Sequence, residues 1–144
     1  MKYGRRYFED VEVGDEITPL VKGPLQQIQL TRYAGASGDF NPIHQDDEFA
    51  RAAGMGGVFG HGMLTMGFVG QAVTDWAGAG RVWKFGVRFT ALSRLKDTIT
   101  CKGRVISKSS KDDVHLVEVE VWAENQKGEK LVTGKATVAL PSRG

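Results

Sequence analysis

The sequence holds little that could staple a chain covalently. One cysteine, Cys101, stands among 144 residues, so no disulfide can form within the chain and stability has to come from packing. A disulfide-free chain also suits a reducing compartment. Charge of one sign is lacking too: 19 Lys and Arg against 17 Asp and Glu leave a formal net charge of +2, too small to argue for nucleic acid. No apolar run approaches the roughly 18 to 20 residues of a membrane-spanning helix. The opening stretch Met1–Asp10 is basic, but no apolar run follows it, so it does not read as a signal peptide and a cytoplasmic location is expected. There is no internal repeat, no low-complexity tract and no linker. With 41% hydrophobic and 25% charged residues the composition is that of an ordinary globular protein, and residues 1–144 are expected to form one domain.

Glycine is abundant, with 19 in total, and crowds between Gly35 and Gly86 among Phe, Met and Val. That mixture points to close backbone packing or to backbone approaching a ligand, and not to a solvated linker. Local patterns predict a short extended piece over Glu16–Val21, broken by Pro19 and ended by Gly23-Pro24. A helix of about Gln27–Ala36 should follow, burying Ile28, Tyr33 and Ala34, then a turn at Asp39–Pro42. A second short helix, capped by Asp46 or Asp47, should end near Gly54. The longest helix is expected over about His61–Trp76. Its Met63, Leu64, Met66, Phe68, Val69, Ala72, Val73 and Trp76 cover nearly the whole circumference, which marks a buried helix.

Near residue 80 the period changes to two. Trp83, Phe85, Val87 and Phe89 alternate with polar residues or glycine, as do Val117, Val119 and Val121, and then Gly134, Ala136, Val138 and Leu140 make a third alternating set. Ile99–Ile106 reads as a further strand, and Asn125–Gly128 as a hairpin turn. Clean alternation means antiparallel strands with one covered face. One buried helix followed by four such strands is an α+β arrangement.

Two segments carry the chemistry. The first is Tyr33-Ala-Gly-Ala-Ser-Gly-Asp39-Phe-Asn-Pro-Ile-His44-Gln-Asp46; the second is His61-Gly-Met-Leu-Thr-Met-Gly67, at the start of the long helix. Together they resemble the MaoC-like dehydratases, which include R-specific enoyl-CoA hydratases and 3-hydroxyacyl-thioester dehydratases. The first matches that family's S-G-D-x-N-P-x-H signature at every defined position, and the second its H-G-M helix start. Val87-Arg-Phe-Thr-Ala91 resembles the strand after the helix, and the likeness extends over roughly Phe8–Leu140. The resemblance implies a hot-dog fold, an antiparallel sheet wrapped around one long helix, and reversible hydration of trans-2-enoyl thioesters to (R)-3-hydroxyacyl thioesters. It implies no metal and no cofactor. There are two departures. Val58-Phe59-Gly60 stands where many members have proline before H-G-M, and Leu95-Lys-Asp97 replaces a commoner Gly-Asp turn.

The resemblance makes Asp39 and His44 the catalytic pair. Hydration needs one group to take a proton from water and another to place a proton on the α-carbon, and a carboxylate and an imidazole can share both tasks around one water. The resemblance also gives the backbone N–H of Gly62 the developing oxyanion, a role suited to a helix N-terminus; the alternative is a glycine kept only for packing. Asn41 either orients His44 or the water, or simply stabilises the turn; Pro42 fixes the loop, and His61 is expected to support the structure. Phe59, Met63 and Met66 are candidates to line an acyl path. Arg81, Lys84 and Arg88, with Arg94 and Lys96, are candidates to meet the phosphates of CoA or of a carrier-protein arm. Cys101 and His115 are expected to be an ordinary strand residue and a surface histidine. A homodimer with sheets joined edge to edge is expected, because a single hot dog leaves an edge uncovered. The rival reading is a non-catalytic acyl-thioester-binding or partner subunit of a heterodimer.

Overall fold

A computed structural model describes residues 6–144. The chain runs through a single 3₁₀ turn (Phe8–Asp10), strand β1 (Leu20–Lys22), helix α1 (Gln27–Ser37), a second 3₁₀ turn (Pro42–His44) and helix α2 (Asp47–Ala52). Helix α3 (Gly62–Ala77) follows, then strands β2 (Val82–Phe89), β3 (Ile99–Lys111), β4 (Val114–Glu124) and β5 (Lys130–Ala139). All strand pairings are antiparallel, in the order β1-β3-β4-β5-β2. The sheet packs against α3 and gives the expected α+β, hot-dog arrangement.

The core lies between one face of the sheet and one face of α3. Val117, Val119, Val121 and Ala123 of β4 alternate inward, as do Ile99, Cys101 and Val105 of β3 and Ala136 and Val138 of β5. They meet Phe68, Val69, Ala72, Val73, Trp76 and Ala77 of α3. Each large aliphatic side chain buried in this way contributes about 1.5–3 kcal/mol of transfer free energy. Cys101 is the buried strand residue expected, and burial pushes its thiol up to about 12. The hairpin between β4 and β5 is closed by Asn125, whose side-chain oxygen accepts from the Lys127 and Glu129 N–H groups.

Several local expectations need correction. Ile28 is not buried: it is exposed on α1, and Leu30 and Ala34 face the core instead. The sheet covers only one side of α3, so the helix is not buried all round: Gly62, Met63 and Gly67 are exposed, and Leu64 and Met66 are half-buried. Trp83 does not belong to the inward set of β2. The pairing steps from Val82↔Val138 to Lys84↔Thr137, leaving Trp83 as the extra residue of a bulge. Val82 packs on the core, and Trp83 stands 62% exposed. Lys96 occupies the left-handed region (φ 71°) at the Leu95-Lys-Asp97 turn, a conformation that glycine adopts without strain. His115 is half-buried rather than free on the surface: its ring packs 5.0 Å from that of Phe8.

Candidate active site

The site is built from the loop between α1 and α2 and the first turn of α3. Helix α1 ends on Gly38, whose left-handed backbone (φ 79°) turns the chain. The turn then binds itself: Asp39 Oδ1 accepts from the Asn41 N–H at 3.2 Å, and Asn41 Oδ1 accepts from the Ile43 N–H at 3.2 Å. Pro42 opens the 3₁₀ turn where its missing N–H costs nothing. Asn41 thus holds the turn, and Asp39 Oδ2 is left to face His44.

His44 is buried, and its Nδ1 lies 2.7 Å from the Phe59 carbonyl oxygen. A carbonyl only accepts, so Nδ1 carries the hydrogen and, in the neutral ring, Nε2 is a bare lone pair. That Nε2 stands 3.8 Å from Asp39 Oδ2. The gap is too long for a direct hydrogen bond, which leaves both atoms available to one water lying beside them. The Asp39 side chain is 48% exposed, so the pair opens to solvent. Phe59, a candidate for the acyl path, is itself buried and sets its ring edge-on to His44 with centroids 4.8 Å apart.

His61, the N-cap of α3, is 1% exposed. Its ring stacks on His44 with centroids 3.9 Å apart and 27° between planes, and Tyr33 meets it edge-on at 4.7 Å. Its Nε2 lies 3.2 Å from the Asp39 backbone oxygen, and its buried Nδ1 has no hydrogen-bond partner among the described residues. Burial, then the neighbouring His44, holds its pKa below the ordinary 6.5. The donor atoms of Asp39, His44 and His61 lie within 4.8 Å of one another. Because the two imidazoles stack, their in-plane lone pairs run side by side and do not converge on one ion.

Gly62 follows His61 directly and begins α3, whose first turn has no side-chain cap and presents unsatisfied N–H groups. A Cβ on Gly62 would lie 3.0 Å from the Phe89 ring, and one on Gly70 3.3 Å from the Phe85 ring. Both glycines thus permit β2 to approach the helix. Met63 and Met66 lie on the same stretch of α3, Met63 exposed at 54%.

The basic candidates are not brought to this site. Lys84 and Arg88 alternate with Phe85 and Phe89, which face α3, so they project from the opposite face of the sheet beside Glu118, Glu120 and Lys135. Arg81 precedes β2, where its carbonyl accepts from the Ala139 N–H. Arg94 is the one that comes close: its guanidinium donates to the Gly57 carbonyl at 3.1 Å and lies 6.0 Å from the Phe59 ring. Sequence reasoning missed the Phe59 carbonyl and the aromatic cover of Phe85 and Phe89. Backbone acceptors leave no signal in a sequence, but the four-residue spacing of the two phenylalanines against the eight-residue spacing of Gly62 and Gly70 was available.

The fold and the site define a hot-dog protein with an imidazole–carboxylate pair beside the N-terminus of its central helix. The chain belongs to the MaoC-like domain family, whose model matches residues 9–127. It is 28% identical over 140 residues to an (R)-specific enoyl-CoA hydratase of Rhodospirillum rubrum, covering 96% of this chain and 94% of that protein. It is 33% identical over 101 residues to a 3-hydroxybutyryl-CoA dehydratase of Methylorubrum extorquens, covering 69% of this chain and 63% of that protein. Among solved structures, an unliganded R-hydratase from Pseudomonas aeruginosa superposes with a TM-score of 0.84 at 26% identity, covering 95% of this chain and 86% of that one. No helix among the described residues is long and apolar enough to cross a membrane.

Proposed function

We propose that the chain is a hydro-lyase that reversibly adds water to a trans-2-enoyl thioester, on CoA or a carrier protein, to give the (R)-3-hydroxyacyl thioester. The observation that carries this reading is the bare Nε2 of His44 facing Asp39 Oδ2 across 3.8 Å. A water held between them gives its oxygen to C3 and one proton to the pair. The C3–O bond forms, the water O–H bond breaks, and the π electrons move toward the thioester carbonyl. The free Gly62 N–H, at the positive end of α3, stabilises the enolate oxygen. The pair then delivers the proton to C2, and the carbonyl reforms. The Phe59 carbonyl keeps the His44 hydrogen on Nδ1, so Nε2 is the nitrogen that faces the water and can take its proton.

The protein acts as a homodimer on this reading. Among the described residues strand β2 is an unpaired sheet edge, and Phe40, Met63, Trp83 and Phe89 are exposed apolar side chains. Light scattering at micromolar concentration should give twice the chain mass, and a stable monomer would refute it.

The activity is tested by loss of enoyl absorbance with crotonyl-CoA and with longer enoyl thioesters on CoA and carrier protein. Asp39→Asn keeps the shape and the turn's hydrogen bond and removes the basic carboxylate. It should lower kcat by about 10² to 10⁴-fold with little change in melting. An unchanged rate in Asp39→Asn would overturn the mechanism. No hydration by the wild type on any thioester would leave the binding-subunit reading in its place.

A further inference from the structure

His61 has a feature that packing alone does not explain: a polar nitrogen, Nδ1, sealed from solvent with nothing to bond. Buried polar atoms seldom go unpaired, and a ring that merely filled space could be apolar. The other nitrogen shows why an imidazole is there. The Asp39 carbonyl can only accept, so Nε2 carries the hydrogen and donates it across 3.2 Å. In the neutral ring Nδ1 is then a bare acceptor, sealed beside the rings of His44 and Tyr33.

We propose that His61 is a positioning residue, a neutral imidazole with its hydrogen on Nε2, that ties the Asp39 backbone to the start of α3 and lays an uncharged face under His44. One residue would thereby set the catalytic carboxylate, the catalytic imidazole and the oxyanion donor Gly62, its direct chain neighbour, against one another. Neutrality is essential to this role. His44 takes up charge whenever it holds the water's proton, and a second imidazolium 3.9 Å away would oppose that. The titratable groups facing His61 are His44, Tyr33 and Asp39. Asp39 favours a charged ring, but desolvation outweighs it, and a proton added to Nδ1 would find no acceptor.

The kinetic part of the test rests on the hydration reading; the spectroscopic part does not. Nitrogen-15 correlation spectra of the wild type should show His61 protonated on Nε2 and bare on Nδ1 between about pH 5 and 8, the range in which an imidazole ordinarily gains its charge. His61→Leu, which cannot donate, should lower kcat by about 10- to 100-fold with KM little changed, since displacement by up to an ångström costs that much. His61→Gln, whose amide can donate to the Asp39 carbonyl and never charges, should restore kcat to within about threefold. It should also leave the acid limb of kcat/KM where it is. The proposal is overturned if His61 carries its hydrogen on Nδ1, if it becomes doubly protonated within that range, or if folded His61→Leu keeps its rate. A folded His61→Gln that is as slow as the leucine variant, or that moves the acid limb, overturns it too. If His61→Leu does not fold, the spectra and His61→Gln decide. If the wild type hydrates nothing, the hydration reading falls while the spectra still decide the state of His61.

Discussion

The two ends of α3 are made of similar residues and do opposite things. From Phe68 to Ala77 the helix presses Phe68, Val69, Ala72, Val73, Trp76 and Ala77 into the sheet, and each is nearly inaccessible. From Gly62 to Gly67 the same helix is only partly covered: Gly62, Met63 and Gly67 are exposed, Leu64 and Met66 half-buried, and Thr65 buried. β2 still reaches this end through Phe89, beside Gly62, but Phe89 is itself half exposed, and the Asp39–His44 loop meets the helix start through His61. On the proposed hydratase reading the first-turn N–H groups serve a developing charge and have to stay free, while the rear of α3 supplies the burial. The rear should therefore govern stability and the front should govern rate.

The comparison breaks if a rear substitution acts on rate or a front one on stability. Trp76→Ala is expected to have the largest effect, about 3–5 kcal/mol lost in chemical denaturation, because a 3%-exposed indole leaves a cavity the helix cannot close. Activity per folded molecule should stay at the wild-type level; a proportionate fall in kcat at full folding would contradict the division. Gly62→Ala is the converse. The added methyl meets the Phe89 ring at 3.0 Å, and Phe89 is half exposed and can swing aside. Helix propensity gained, roughly 1 kcal/mol, should offset the crowding, so stability moves by less than about 1 kcal/mol. Displacing the N–H should nevertheless lower kcat by about tenfold. Steady-state kinetics and thermal melts on the same preparation check both halves.

The smallest effect is one of pH. The folded His61 has its pKa below the unfolded value of 6.5, so the unfolded chain binds the proton more readily. Stability from this group is therefore full above 6.5, is lost as pH falls through 6.5, and levels off below the folded pKa. Unfolding midpoints measured about one unit above and one unit below that value should fall more for the wild type than for His61→Gln. Equal falls in the two would mean that His61 does not contribute.

Much of the frame was legible locally because it is periodic. The limits of α3, Gly62–Ala77, lie within a residue of those expected from its apolar run, and β4 follows its Val117, Val119, Val121 alternation. The bulge at Trp83 escaped notice because a single added residue shifts the faces of a strand without altering its composition. Ile28 misled for a related reason: α1 is amphipathic only weakly, and Leu30 and Ala34 take its buried side. The loop residues Asp39, Asn41, Pro42 and His44 could be picked out as a group, since turn chemistry is local, but their mutual geometry could not.

By itself the sequence determined the elements, their order and the residue types able to handle a proton. These follow from side-chain period, turn preference and chemical identity, all of which act within a few residues. Tertiary structure decided which groups meet. It set His44 Nδ1 on the carbonyl of Phe59, laid His61 against a ring seventeen positions back, and sent Lys84 and Arg88 to the far face of the sheet. Those outcomes depend on where the chain returns after long excursions, and on backbone atoms that every residue shares and no residue name records.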